Sequence, residues 1–141
     1  MIPYNIVFTI YNLFKVIFQK MKKAVIIGAG PAGLVAAKLS LADGYSVTVF
    51  EQESDLGGTW LYSSDPSAHS ALYERMITNM PKQLMEYEDF QYKSDLSTFL
   101  TGEQVLEYLR KYAEGICVEF DTKVVKVEES DSKDGKWKVR L

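Results

Sequence analysis

Residues 23–51 read KAVIIGAGPAGLVAAKLSLADGYSVTVFE. Lys23–Ile27 is a short apolar, β-branched run ending at Gly28, the pattern of a buried parallel strand. Pro31 to Asp43 is rich in Ala, Leu and Val and stops at Gly44. Proline just inside the start and glycine just past the end mark a helix. Ser46–Glu51, SVTVFE, alternates in hydropathy and predicts a second strand. Strand, helix and strand within about 30 residues form a right-handed parallel βαβ unit, so the predicted fold class is α/β and Rossmann-like.

The turn between strand and helix, Gly28-Ala29-Gly30-Pro31-Ala32-Gly33, is G-x-G-x-x-G. Gly28 permits a tight turn, Gly30 lets a pyrophosphate approach the backbone, and Gly33 lets helix and strand pack closely. The phosphates then sit on the positive end of the helix. Glu51 follows Gly33 by 18 residues, at the end of the second strand, where a carboxylate binds ribose hydroxyls. A carboxylate there repels a 2′-phosphate, so this site is expected to take FAD or NAD rather than NADP.

Composition agrees with a folded domain. The chain has 141 residues, is 47% hydrophobic and 25% charged, and carries a net charge of −3. That excludes disordered and collagen-like chains. The sequence pI of about 5.2 argues against nucleic-acid binding. One cysteine, Cys117, and one histidine, His69, leave no intrachain disulfide and no ordinary zinc site, so no metal is expected. Cys117 reads as a small buried hydrophobe, and Glu86-x-Glu88-Asp89 as a solvated acidic run.

Residues 1–22 read as an apolar and basic extension. Met1–Phe14 is free of charge but spans only roughly 21 Å as a helix, against about 30 Å of hydrocarbon. Ile6, Ile10, Leu13 and Ile17 share one helical face, which suits weak membrane contact through residues 1–20. A start at Met21, directly before the first strand, is the alternative. Localisation is accordingly left between the cytoplasm and association with the endoplasmic-reticulum membrane.

Downstream, Gln52–His69 reads as loop. Thr101-Gly-Glu-Gln104 is a capping box opening a helix whose Val105, Leu106, Leu109, Tyr112 and Ala113 line one face, closed by Gly115. Ile116–Phe120, Val124–Glu128 and Trp137–Leu141 read as strands, the last after an Asp134-Gly135 turn. Helices and a β-meander are thus expected after the βαβ unit.

Glu51-x5-Gly57-Gly58-Thr59-Trp60 resembles flavoproteins with two dinucleotide-binding domains. His69–Tyr92, HSALYERMITNMPKQLMEYEDFQY, resembles the flavin-containing monooxygenase family, which reads S-L-Y-x-x-x-x-T-N-x-P-K-x-x-M-x-[FY]-x-D-F. The matching positions are Ser70, Leu72, Tyr73, Thr78, Asn79, Pro81, Lys82, Met85, Tyr87, Asp89 and Phe90. The resemblance runs over Lys23–Leu141.

It implies that Gly28, Ala29, Gly30, Pro31, Ala32 and Gly33 cradle the FAD pyrophosphate and that Glu51 holds the adenosine ribose. Gly58, Thr59 and Trp60 then lie on the flavin side, and the backbone of Val124 meets the adenine. Thr78 and Asn79 stand beside the flavin ring and nicotinamide, with Asn79 as the catalytic amide. By its residues alone, Asn79 reads rather as a turn residue before Pro81.

The implied parent is an FAD- and NADPH-dependent monooxygenase that oxygenates soft nitrogen or sulfur nucleophiles with O2 through a flavin C4a-hydroperoxide. The family's second G-x-G-x-x-[GA] for NADPH and its F-x-G-x-x-x-H motif are absent from these residues. Residues 23–141 are therefore expected to be an incomplete FAD-binding domain, inactive alone. The alternatives are a non-catalytic nucleotide-binding remnant and another two-dinucleotide flavoprotein oxidoreductase. A disulfide reductase needs C-x4-C, which one cysteine cannot supply.

Overall fold

The structure, a computed structural model, describes residues 22–65, 72–130 and 135–141. The extension at residues 1–20, His69, Ser70 and Asp134 lie outside the described residues.

Strand β1 (Lys23–Ile27) runs parallel to β2 (Ser46–Phe50), with Lys23 opposite Ser46 and Ile27 opposite Phe50. Helix α1 (Pro31–Ala42) makes the crossover between them. Asp43 caps its last turn and Gly44, at φ +80°, breaks it. β2 also pairs in parallel with β3 (Val118–Glu119), so the sheet order is β1-β2-β3. A hairpin of β4 (Lys126–Glu129) and β5 (Trp137–Arg140) stands apart as a two-stranded antiparallel sheet. The expected meander is thereby reduced to that hairpin, because β3 joins the parallel sheet.

The parallel register sorts the sheet into two faces. Ala24, Ile26, Val47, Val49 and Val118 share the face that packs into the core with Leu34 and Ala37 of α1. Val25, Ile27 and Cys117 fall on the other face, and Val25 and Ile27 remain 43% and 57% exposed. Cys117 is therefore exposed rather than buried as expected. It alternates with Val118, and no helix among the described residues covers its side of the sheet. Strand 116–120 shortens to two residues because the chain turns away at Asp121 (φ +50°), whose N–H donates to the Glu53 carbonyl. The next strand begins at Lys126 rather than Val124.

Helix α2 (Gly102–Tyr112) starts on the expected capping box. The Gln104 N–H donates to Thr101 Oγ1 at 3.2 Å, and the Thr101 N–H donates to Gln104 Oε1 at 2.9 Å. Its inner face is Val105, Leu106, Leu109 and Tyr112, followed by Ala113, in agreement with the periodicity; Tyr108 joins them. Among the described residues no helix is long and apolar enough to cross a membrane.

Residues 72–101 carry little regular structure, so side chains satisfy much of their backbone. The Tyr108 hydroxyl accepts from the Tyr87 N–H at 2.7 Å and donates to the Phe90 carbonyl at 2.6 Å. Around it Tyr87, Phe90, Tyr92 and Tyr112 form an aromatic cluster, Tyr92 stacking on Tyr108 at 3.9 Å between ring centroids. Lys38 of α1 lies 3.9 Å over the Tyr112 ring, tying the two helices together.

Candidate functional site

The glycine turn is shaped by steric constraints. Gly28 leaves β1 at φ +91°, a region L side chains rarely adopt. At Gly33 a Cβ would stand 2.0 Å from the Gly28 carbonyl oxygen, so only glycine lets α1 approach the turn this closely. Gly30 caps α1 with no side-chain hydrogen bond, Pro31 occupies the first turn, and no acidic residue lies there. The first turn of the helix thus carries no acidic side chain to compete with a phosphate at its positive end.

Ala29, fully buried, is held on both sides. Its N–H donates to Glu51 Oε2 at 2.6 Å, and its carbonyl accepts the Gly57 N–H at 3.0 Å. Glu51 is 5% exposed, and its other oxygen accepts the Glu53 N–H at 3.0 Å. A carboxylate offers about four lone-pair sites, so two remain for a ligand diol.

The second diglycine lies on the first. A Cβ on Gly58 would come 3.1 Å from Gly30 Cα, and one on Gly57 would come 2.5 Å from Leu106 Cδ1. Leu106 and the Arg110–Asp55 ion pair brace this loop from α2. Gly58 and Thr59 are exposed beside the turn and Trp60 is half-buried. On the other flank the Glu51 N–H donates to the Glu119 carbonyl and the Thr122 N–H donates to the Glu51 carbonyl. These bonds hold Thr122, two residues before half-buried Val124, against the Glu51 backbone.

A glycine cradle, an uncapped helix end and a carboxylate with spare lone pairs fit the diphosphate and ribose of FAD.

Thr78 and Asn79 stand on a separate turn. The Thr78 hydroxyl donates to the Met80 carbonyl and accepts the Leu100 N–H, both at 3.0 Å, so it is committed to backbone. Asn79 is exposed. No hydrogen bond joins Asn79 to the glycine turn among the described residues. From the same stretch of chain Tyr87 does reach the turn, its hydroxyl donating to the Pro31 carbonyl at 3.0 Å. Burial, with Tyr108 and Tyr112 adding, pushes the Tyr87 phenol up to about 12, so it keeps this proton at neutral pH.

Sequence reasoning gave no role to Tyr87, Tyr108 or Lys82, although Tyr87 and Lys82 lie inside the His69–Tyr92 motif. A cavity of about 200 Å³ beside α2, lined by Tyr92, Leu96 and Tyr108, shares no residue with the glycine turn and is small for a cofactor.

A profile of the family described as flavin-binding monooxygenase-like matches residues 21–141. The chain is 39% identical to flavin-containing monooxygenase FMO GS-OX-like 4 of Arabidopsis thaliana, over 81% of this chain and 31% of that protein. It is 37% identical to the putative flavin-containing monooxygenase FMO GS-OX-like 11 of the same plant, over 81% and 83% of the two chains. The solved structure of S-allyl-L-cysteine S-oxygenase from Allium sativum superposes with a TM-score of 0.72 at 31% identity, over 85% of this chain and 34% of that one. The chain thus spans about a third of the first and third of these proteins and most of the second.

Proposed function

Because this chain belongs to the flavin-binding monooxygenase-like family, we propose that it is the FAD-holding part of an FAD- and NADPH-dependent monooxygenase acting with O2 on soft nitrogen or sulfur in small molecules. The observation that carries this reading is the doubly held Ala29: one turn is fixed at once by the Glu51 carboxylate and by the second diglycine loop. A plain nucleotide-binding turn has no need of that second loop.

When bound, FAD supplies the electron transfer and oxygen activation. The chain's own residues bind and orient it. The turn Gly28–Gly33 receives the pyrophosphate on the N-terminus of α1. Glu51 accepts from the ribose hydroxyls through its two remaining lone pairs, and Val124 borders the adenine side. Gly58, Thr59 and Trp60 flank the turn on the flavin side and exclude water there. Asn79 presents an amide that both donates and accepts, suited to steadying charge where oxygen is transferred. In this reading residues 23–141 act as one cofactor-binding unit, with 1–22 an extension, and most of the NADPH site lies outside that unit.

The test is Gly30→Ala. Gly30 has φ −75°, and an added Cβ meets nothing closer than 3.7 Å. The variant should melt like the parent yet lose most flavin affinity, because its methyl stands where the pyrophosphate approaches. Flavin fluorescence quenching reads the affinity; unchanged quenching would count against the reading. The relative matched over 83% of its length favours a second reading, a nucleotide-binding chain without oxygenation. Joining the chain to the NADPH-binding part of a relative and following NADPH consumption with a thioether present separates the two: turnover supports the first reading and its absence the second.

A further inference from the structure

Lys82 is only 7% exposed, and among the described residues no carboxylate pairs with it. Desolvating an ammonium is costly unless all of its protons find acceptors. Here three protons meet three main-chain carbonyls, those of Lys93 at 2.7 Å, Ser94 at 3.3 Å and Leu96 at 2.7 Å. For filling space alone, an unbranched apolar side chain would serve at lower desolvation cost. The lysine does something else: it gathers the carbonyls of a segment, 93–96, that has no helix or strand to satisfy them.

The same stretch of chain is tied down again on either side. The Lys82 N–H donates to the Thr98 carbonyl at 2.7 Å. Four residues earlier the Thr78 N–H donates to the Leu100 carbonyl at 2.8 Å, and the Leu100 N–H donates to Thr78 Oγ1 at 3.0 Å. Ile77 bridges Thr101 in antiparallel fashion. The turn Asn79-Met80-Pro81 is therefore gripped at both ends, while Asn79 itself is exposed. An exposed side chain that must hold one orientation toward a ligand needs such a base.

We propose that Lys82 is a positioning residue for Asn79: its caged ammonium locks the 93–96 segment to the turn and so fixes where the Asn79 amide points. The consequence for flavin rests on the function proposed above; the clamp does not.

Lys82→Met keeps length and volume and removes the three donors. Hydrogen–deuterium exchange of the full chain, followed by mass spectrometry, should show residues 76–82 and 93–101 exchanging roughly tenfold faster or more. α1 and β2 should stay within about threefold of the parent. Uniform acceleration in proportion to lost stability, or no acceleration, overturns the clamp. Should the variant not fold, the parent still decides. With ¹⁵N-lysine, the Lys82 ammonium should give an observable, slowly exchanging proton signal at neutral pH, and exchange as fast as that of exposed lysines overturns the proposal.

With FAD added, Lys82→Met and Asn79→Ala should perturb the bound flavin's absorption band alike. The dissociation constant of Lys82→Met should lie within about twofold of the parent's, since Glu51 and the glycine turn are untouched. A changed band in Asn79→Ala with an unchanged one in Lys82→Met overturns the positioning role. If the parent chain binds no FAD, the flavin reading fails, and the exchange result alone decides the clamp.

Discussion

The Ala29 N–H and the Glu51 carboxylate meet at 2.6 Å across 22 residues of sequence, inside the core rather than at its surface. The carboxylate thus helps to set the glycine turn before any ligand arrives. Its partner is a backbone donor of the same turn that is read as the phosphate cradle. On the function proposed above, binding and folding are coupled at this residue.

Glu51→Gln tests that coupling. The amide has one acceptor oxygen where the carboxylate has two, so either Ala29 or Glu53 loses its acceptor. An unsatisfied buried N–H costs about 1–3 kcal/mol, which urea melts would register. Flavin affinity should fall in the same variant by roughly tenfold or more, read by fluorescence quenching. A stable variant that retains flavin would remove Glu51 from both roles.

Gly33→Ala should be among the most damaging single-methyl changes in the chain. The new Cβ would lie 2.0 Å from a backbone oxygen that cannot swing aside, so α1 must back away from β1. A loss of about 3 kcal/mol or more is expected. Gly44→Ala is the comparison: the same methyl meets open space at φ +80° and should cost only about 1 kcal/mol of backbone strain. Equal losses in the two melts would show that contact with Gly28 is not what selects glycine at 33.

Alkaline titration should separate the tyrosines. Burial first, then neighbouring phenols, raises Tyr87 to about 12 and raises Tyr92 further; burial also raises Tyr108 and Tyr112. A phenol near pKa 10 when unfolded and higher when folded favours the protonated native state. That contribution is fully present below pH about 10 and is lost as pH rises through the folded values. Stability should be flat toward pH 10 and fall above it, with tyrosinate absorbance of the cluster appearing only as the chain unfolds. Ionisation of all tyrosines near pH 10 in the native protein would contradict the packing around Tyr108.

Val25→Thr with Ile27→Thr probes the bare sheet face. Both residues point away from α1 and are largely exposed, and threonine keeps strand propensity. Each should change stability by no more than about 0.5 kcal/mol, while binding of a hydrophobic dye falls. Losses above about 2 kcal/mol each, the scale of a buried side chain, would mean that this face is covered in solution.

The βαβ unit, its turn and the capping box of α2 were determined by the sequence alone. Each rests on neighbours within a few residues: Pro31 and Gly44 bounding a helix, Gly28 and Gly33 at fixed offsets, Thr101 and Gln104 exchanging bonds across one turn. Placing Asn79 beside a flavin drew on family resemblance, because Asn before Met-Pro has no local preference that distinguishes a site from a turn. Other features were decided only by tertiary structure. Cys117 is exposed because strand parity puts it on the uncovered face opposite Val118. Lys82 is buried because three carbonyls from a segment 11–14 residues away converge on it. Tyr87 reaches Pro31 across 56 residues. Periodicity and capping are short-range properties of a chain. Which distant carbonyl faces a given ammonium or hydroxyl depends on how the elements pack, and composition carries no record of that.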